Sequence, residues 1–174
     1  ITGWLKERIR LLMAHDINLF AYHLPLDAHS ELGNNAQLGV KLGVQGQAAF
    51  GEQNLGWLAD VDFANATALT EHVQTVLGRK AILVSGDVQK PVRKLAWCTG
   101  GAQGFFESAI AAGADAYITG EISEPQMHLA REMGVSFIAA GHHATERYGA
   151  PAVVAHVARE CGLEHQFIEI ENPA

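Results

Sequence analysis

The sequence predicts an α/β fold in which a mixed, mostly parallel sheet is flanked by helices. Between residues 81 and 140, short apolar runs alternate with amphipathic segments, which is the order typical of strand–helix units. Glycine is abundant, at 18 of 174 residues, and many glycines fall where a strand should meet a helix. A chain of this length buries roughly 70% of the surface that its unfolded form exposes, which is enough for a substantial core.

The first part of the chain predicts helices where apolar residues recur at helical spacing, and a strand where they form a continuous run. Pro25 ends the strand, and Asn34 or Asn35 can cap the second helix. Gly78 stops the third helix. In chain order, we predict a helix over 4–14, a strand over 17–22, a helix to about residue 42, one or two short strands or a hairpin within 43–62, and a helix over 67–77.

The second part of the chain alternates between strands and helices. Gly113 stops one of these helices. Pro151 falls inside the last helix, which it either opens or kinks. In chain order, we predict strands over 81–85 and 94–98, a helix over 105–112, a strand over 116–119, a helix over 125–132, a strand over 135–140, a helix within 146–160 and a strand over 165–170.

Composition excludes several classes of partner. The net charge of −7 argues against nonspecific binding to nucleic acid or to an anionic membrane, because both need a basic face. No apolar run reaches the roughly 18 residues of a membrane span, and no secretory segment is visible. Cys98 and Cys161 lie in apolar contexts without a partner at metal-ligand spacing, which predicts buried free thiols in a reducing cytoplasm.

The segment GHHATE, which follows the apolar run VSFIAA, sets imidazole beside carboxylate. His142 and Glu146 are four residues apart, so on a helix they share one face and can reach one ion. Imidazole and carboxylate without thiolate are the ligands of hydrolytic or redox divalent metal sites. The alternative is an ordinary helix N-terminus, in which Glu146 favours the helix dipole and Thr145 or His142 is a cap.

The segment HLPLDAH, which follows the apolar run INLFAY, contains His23, Asp27 and His29. Asp27 is our candidate for a carboxylate that bridges two ions, as two-metal hydrolytic sites require. Its alternative role is that of a turn residue that caps its own backbone after Pro25. Because open α/β sheets place their ligands at strand ends, we expect Asp27 and His142 to lie close together.

Two further turns contain candidate residues. The turn TGGAQG, with Gly100 and Gly101, frees backbone amides where an anion can sit, although a tight strand-to-helix turn explains it equally well. Glu121, in TGEIS, either orients a ligand histidine or holds a water, or else it is a charge at a helix N-terminus.

Taken together, these segments resemble a known family. HLPLDAH, ELGNNAQL, VRKLAWCTGGAQGF, GADAYITGEISE and AAGHHATERYG, in this order, resemble the NIF-three-like dinuclear metal-centre family, often labelled GTP cyclohydrolase I type-two homologues. The resemblance runs from about residue 4 to the terminal ENPA. It implies two similar α/β lobes that face each other across a cleft with two divalent ions (Zn, Fe, Mn or Mg), in a toroidal homohexamer.

The resemblance also implies roles for particular residues. Asp27, His142 and Glu146 correspond to metal ligands, with Asp27 bridging, and His23 is a further candidate ligand. Two more ligands of the family are adjacent histidines in a VHHG segment that would precede Ile1, so we expect an N-terminal part to be missing here. Residues 1–43 would be the rest of the first lobe, 44–141 the second lobe, and 142–174 a segment that returns to the first lobe and the metal site.

The function that follows is that of a metal-dependent hydrolase of a small phosphate-bearing or nucleotide-like substrate. The rival is a non-catalytic scaffold or regulatory protein whose ions stabilise an assembly. Nothing in the sequence is specific for guanine, so the cyclohydrolase label stays a family label.

Overall fold

The computed structural model describes all 174 residues and shows one six-stranded sheet between two layers of helices. The strands are β1 (Ala48–Phe50), β2 (Gly56–Phe63), β3 (Ile82–Val84), β4 (Val92–Trp97), β5 (Ala116–Thr119) and β6 (Ser136–Ala139). The helices are α1 (Gly3–Ala14), α2 (Leu24–Asp27), α3 (Asn34–Leu42), α4 (Ala66–Leu77), α5 (Phe106–Ala111), α6 (Glu124–Met133), α7 (His142–Glu146) and α8 (Gly149–Cys161).

The sheet is mixed, with the order β1-β2-β4-β5-β6-β3. Its three central strands, β4, β5 and β6, run parallel to one another. The hairpin of β1 and β2 joins β4 in antiparallel orientation, and β3 pairs with β6 in the same way. The predicted α/β class and the hairpin in the glycine-rich stretch are therefore confirmed, and the parallel part of the sheet is confined to its centre.

The central strands are buried on both faces because their side chains alternate between two apolar clusters. In β4, Leu95 and Trp97 belong to the cluster that α3 and α4 cover, whereas Ala96 belongs to the cluster on the other face. Tyr117 of β5 and Phe137 of β6 also belong to that second cluster, which α5 and α6 cover. Burying a side chain of this size contributes about 1.5–3 kcal/mol.

Three predictions about the two ends of the chain were wrong. Residues 17–22 and 165–170 form no strand; Phe20 is 77% exposed and Ile168 is 70% exposed. Neither segment pairs with an edge of the sheet, so its backbone groups have no ladder to join. Cys161 is exposed, not buried, because it lies at the end of α8 and outside both clusters; Cys98 is buried as predicted.

The helix predicted within 146–160 is confirmed as α8, and the separate short helix α7 precedes it. Pro151 lies in the first turn of α8, so it opens this helix and does not kink it. None of the eight helices is both long and apolar enough to span a bilayer. The boundaries of the two predicted lobes stay predictions.

Asp115, just before β5, ties the starts of two central strands together. Its Oδ2 accepts the backbone N–H groups of Arg93 and Lys94, both at 3.0 Å, and its Oδ1 lies 3.0 Å from Nζ of Lys90. Burial by itself raises the pKa of Asp115, but the hydrogen bonds from Arg93, Lys90 and Lys94 outweigh it, and the pKa lies below its usual value of 3.8.

Asp115→Ala is therefore expected to lower the free energy of unfolding by about 1–2 kcal/mol at pH 7, since the site is partly screened by solvent. Because the folded carboxyl has the lower pKa, this contribution is complete above pH 3.8 and disappears as the pH falls through the folded pKa. Urea denaturation of both proteins between pH 2 and pH 7 measures it. The control is Asp62→Ala, whose exposed ion pair with Arg93 contributes little. An equal loss at pH 7 and pH 2 would contradict the assignment.

Candidate metal centre

The sharp turn after β6 brings two predicted metal ligands together. Gly141 has a φ of 101°, in the region that favours glycine, and α7 begins directly after it. His142 and Glu146 then lie on one face of α7, with Nε2 of the imidazole 2.9 Å from Oε2 of the carboxylate. The spacing of four residues therefore places the two side chains in contact, as we predicted from the sequence.

Glu121 contacts the other side of the same imidazole. It follows β5, and its Oε1 lies 2.5 Å from Nδ1 of His142. The hydrogen bond to Glu121 is the main reason why the pKa of His142 is raised, and the same bond lowers the pKa of Glu121. A carboxylate on Nδ1 fixes the orientation of the ring and leaves Nε2 to face a ligand, which is the contact made by a residue that orients a ligand histidine.

Asp27 ends the short helix α2 and is only 6% exposed. Its Oδ1 accepts a hydrogen bond from Nδ2 of Asn34 at 2.7 Å, so the carboxylate is held in one place. Nδ1 of His29, by contrast, accepts the backbone N–H of Glu31 within its own loop. His29 therefore has a local role in the loop, whereas Asp27 is fixed at the edge of a cavity.

This cavity, of about 220 Å³, brings the distant segments together. Its wall includes His23, Asp27, Cys98, Gly101 and Glu146. Burial raises the pKa of Glu146, and the negative charge of Asp27 raises it further, against the opposing effect of two histidines. Two carboxylates that line one partly buried cavity repel each other, and a cation bound between them would relieve this repulsion. Burial also raises the pKa of the Cys98 thiol to about 12, so the thiol stays neutral.

The donor set fits a divalent ion in part. Ligands about 2.1 Å from one ion and at right angles to each other are about 3 Å apart, close to the separation of Nε2 of His142 and Oε2 of Glu146. An ion there would replace the proton that these two atoms share. Asp27 would supply a further oxygen from the same cavity. No three His, Cys, Asp or Glu side chains converge closely enough to form a complete ligand set.

Two asparagines at the start of α3 connect the site to the core, and we predicted them only as caps. Asn35 is fully buried; its Oδ1 accepts the N–H of Thr99 at 2.8 Å and its Nδ2 donates to the carbonyl of Asp27 at 3.3 Å. Oδ1 of Asn34 accepts the N–H of Gly149 at 2.8 Å. The signal in the sequence was two adjacent amides at the start of a helix that faces the core.

The turn after β4 does not favour the predicted anion site. The N–H of Gly100 already donates to Oγ1 of Thr145 at 2.9 Å. The space beside its Cα is filled by the carboxylate of Glu146, which would repel an anion. A Cβ on Gly101 would lie 3.5 Å from the carboxyl group of Glu121 and from the imidazole of His142. Gly100 and Gly101 instead leave room for these three side chains.

The fold and the site define an α/β protein with an imidazole–carboxylate cluster where the central strands end. The chain belongs to the Duf34/NIF3 (NGG1p interacting factor 3) family, whose sequence model matches residues 1–173. It is 53% identical to a GTP cyclohydrolase 1 type 2 homolog of Neisseria meningitidis serogroup B over 175 residues, and 44% identical to the Escherichia coli homolog over 174 residues. Each match covers all of this chain and 70% of the relative.

Solved structures agree with this assignment. The protein ybgI, described as of unknown function, matches with a TM-score of 0.93 at 44% identity, over all of this chain and 70% of that one. TTHA1606 from Thermus thermophilus matches with a TM-score of 0.83 at 29% identity, over all of this chain and 69% of that one. The fold predicted from the resemblance is therefore confirmed as the NIF3 fold.

Proposed function

We propose that this protein binds divalent metal ions through Asp27, His142 and Glu146 and hydrolyses a phosphate-bearing or nucleotide-like small molecule. The observation that carries the proposal is geometric: Asp27 and Glu146 line one cavity, and Glu146 contacts an imidazole that Glu121 orients. Oxygen and nitrogen donors of this kind suit Zn, Fe, Mn or Mg. The proposed centre is dinuclear, with Asp27 as the bridging ligand and His23 as a further donor from the cavity wall.

A divalent ion at this site would lower the pKa of bound water toward neutrality and polarise a phosphoryl oxygen. The neighbouring side chains hold the proposed ligands in fixed orientations. Asn34 fixes one oxygen of Asp27, and Glu121 fixes the ring of His142. Cys98 stays a neutral thiol and takes no part as a nucleophile. The cavity of about 220 Å³ is smaller than a typical small-molecule pocket, so we expect only the reacting group of the substrate to enter it.

The name shared by the relatives supports a hydrolytic role on a nucleotide-like molecule. Specificity for guanine is outside the proposal, because nothing in the sequence is specific for that base. The two free cysteines favour the cytoplasm as the compartment.

Metal binding is the first test. After removal of metals with a chelator, the protein is titrated with Mn²⁺ or Zn²⁺ by calorimetry. Asp27→Ala and Glu146→Ala are each expected to weaken binding at least about 100-fold, because each removes a charged ligand. The control is Glu132→Ala, an exposed carboxylate on α6. Unchanged affinity in both site variants would refute the site.

Turnover is the second test. The metal-loaded protein is screened against nucleotides and phosphoesters, and the same two variants are expected to lose hydrolysis. Hydrolysis that survives in both variants would refute the proposed reaction.

A metal-stabilised assembly without catalysis is the second candidate function. Large apolar side chains at both ends of the chain, among them Trp4, Phe20 and Ile170, are more than two-thirds exposed and favour assembly. A homohexamer is the assembly that the family resemblance suggests. Loss of the oligomer on chelation, measured by light scattering, without turnover of any substrate, would favour this candidate.

A further inference from the structure

An imidazole on α7 and a cation directly after it are not used by the proposed metal centre. His143 follows His142, so it lies about 100° further around the axis of α7, and Arg147 is the residue at which α7 ends. Both side chains contact the same atom, Oε1 of Glu169, with His143 Nε2 at 3.1 Å and Arg147 Nη1 at 3.3 Å. The anion in this contact belongs to the C-terminal tail of the chain.

A cavity of about 480 Å³ adjoins this contact. Its wall includes Lys41, Arg147, Tyr148 and His165, and Glu169 is the only acidic residue in it. The ammonium of Lys41 and the guanidinium of Arg147 each lie 5.6 Å from the centre of the Tyr148 ring. With Glu169 moved aside, two permanent cations would face the cavity, in a chain whose net charge is −7.

The tail that carries Glu169 is held by few contacts. Residues 163–174 form no helix or strand, and the side chain of Glu169 is 46% exposed. Besides Glu169, the polar ties of the tail to the rest of the chain are a backbone hydrogen bond from Leu163 to Ala158 where the tail begins, and hydrogen bonds from Arg79 to the carbonyls of Pro173 and Ala174. A half-exposed carboxylate that is held through a single oxygen is readily replaced by a dianion with more acceptor oxygens.

We propose that His143, Arg147 and Lys41 form a binding site for a phosphate group, which Glu169 occupies when no ligand is bound. The phosphate group is either that of inorganic phosphate or that of a phosphorylated small molecule. Glu169 acts as an internal competitor, because tethering gives its carboxylate an effective concentration in the millimolar range. Ligand binding therefore releases the tail from α7.

The test measures binding of inorganic phosphate and of a nucleoside monophosphate by calorimetry, with a chelator present so that the result is independent of the metal centre. Glu169→Gln removes the competing charge and is expected to tighten phosphate binding about tenfold. The matched control is Glu171→Gln, the same change two residues further along the tail, which is expected to leave binding unchanged. Tighter binding of the monophosphate than of phosphate would identify a phosphorylated molecule as the ligand, and the reverse order would identify free phosphate.

Adding Arg147→Ala or Lys41→Ala to Glu169→Gln is expected to abolish the gain. Arg147 also donates to the carbonyl of Leu77, so its loss can perturb the fold. Lys41 is exposed, so its substitution is expected to leave the fold intact. The proposal is overturned if Glu169→Gln binds phosphate no more tightly than the unchanged chain. It is also overturned if the gain persists when Lys41 is removed.

Discussion

Trp97→Ala is expected to lower the free energy of unfolding by about 3–5 kcal/mol, the range for removing a large aromatic side chain from a packed core. Trp97 is fully buried on the face of the sheet that α3 and α4 cover. Its Nε1–H donates to the carbonyl of Asn35 at 2.9 Å, so the substitution also leaves a buried carbonyl without its donor. Urea denaturation at pH 7 measures the loss.

Two further variants separate the contribution of the hydrogen bond of Trp97 from that of its burial. Trp97→Phe keeps much of the ring volume but removes the N–H. It is therefore expected to lower the free energy of unfolding, but by less than Trp97→Ala does. Trp57→Ala removes the same side chain from a half-buried position next to Trp97 and is expected to cost clearly less. Equal losses for Trp57→Ala and Trp97→Ala would show that burial of Trp97 is not what stabilises this face.

The centre of the sheet was predictable because each of its strands is buried on both faces. In β4 from Leu95 onward, and in β5 and β6 apart from one small polar residue at an end of each, apolar residues follow one another, and this pattern depends only on the residues of the strand itself. Residues 17–22 and 165–170 also contain large apolar residues but form no strands. A strand also needs a neighbouring edge for its backbone hydrogen bonds, and a local pattern does not reveal whether such an edge is present.

The candidate site was predictable to the extent that it depends on local spacing. The separation of His142 and Glu146 places both on one helix face, and Asp27 was expected at the same edge of the sheet. The supporting hydrogen bonds from Asn34 and Asn35 were not predicted, because they join residues that only the tertiary fold brings together. Similarly, the filled space beside Gly100 comes from a side chain 46 positions away along the sequence.

Gly100→Ala is expected to abolish metal binding at the proposed centre with only a modest loss of stability. Gly100 has a φ of 68°, so any other residue there costs about 1–2 kcal/mol in backbone strain. A Cβ would also overlap the carboxylate of Glu146. That carboxylate is the flexible end of its side chain, so it can swing aside at little cost, but it then leaves Nε2 of His142 and the cavity. Calorimetric titration with Mn²⁺ and urea denaturation measure the two effects.

Two control variants separate strain from displacement. Gly113 also has a positive φ, 82°, but open space where a Cβ would be, so Gly113→Ala is expected to show the strain and to keep metal binding. Gly104→Ala, in the same turn as Gly100, has neither strain nor a neighbour within 4 Å and is expected to change nothing. Without metal, displacement of Glu146 is also expected to lower the pKa of His142, which NMR titration of the imidazole detects. Equal metal affinity and an equal pKa of His142 in Gly100→Ala and Gly113→Ala would contradict this prediction. The carboxylate of Glu146 would then not have moved, and the close packing of Gly100 against it would have no part in forming the site.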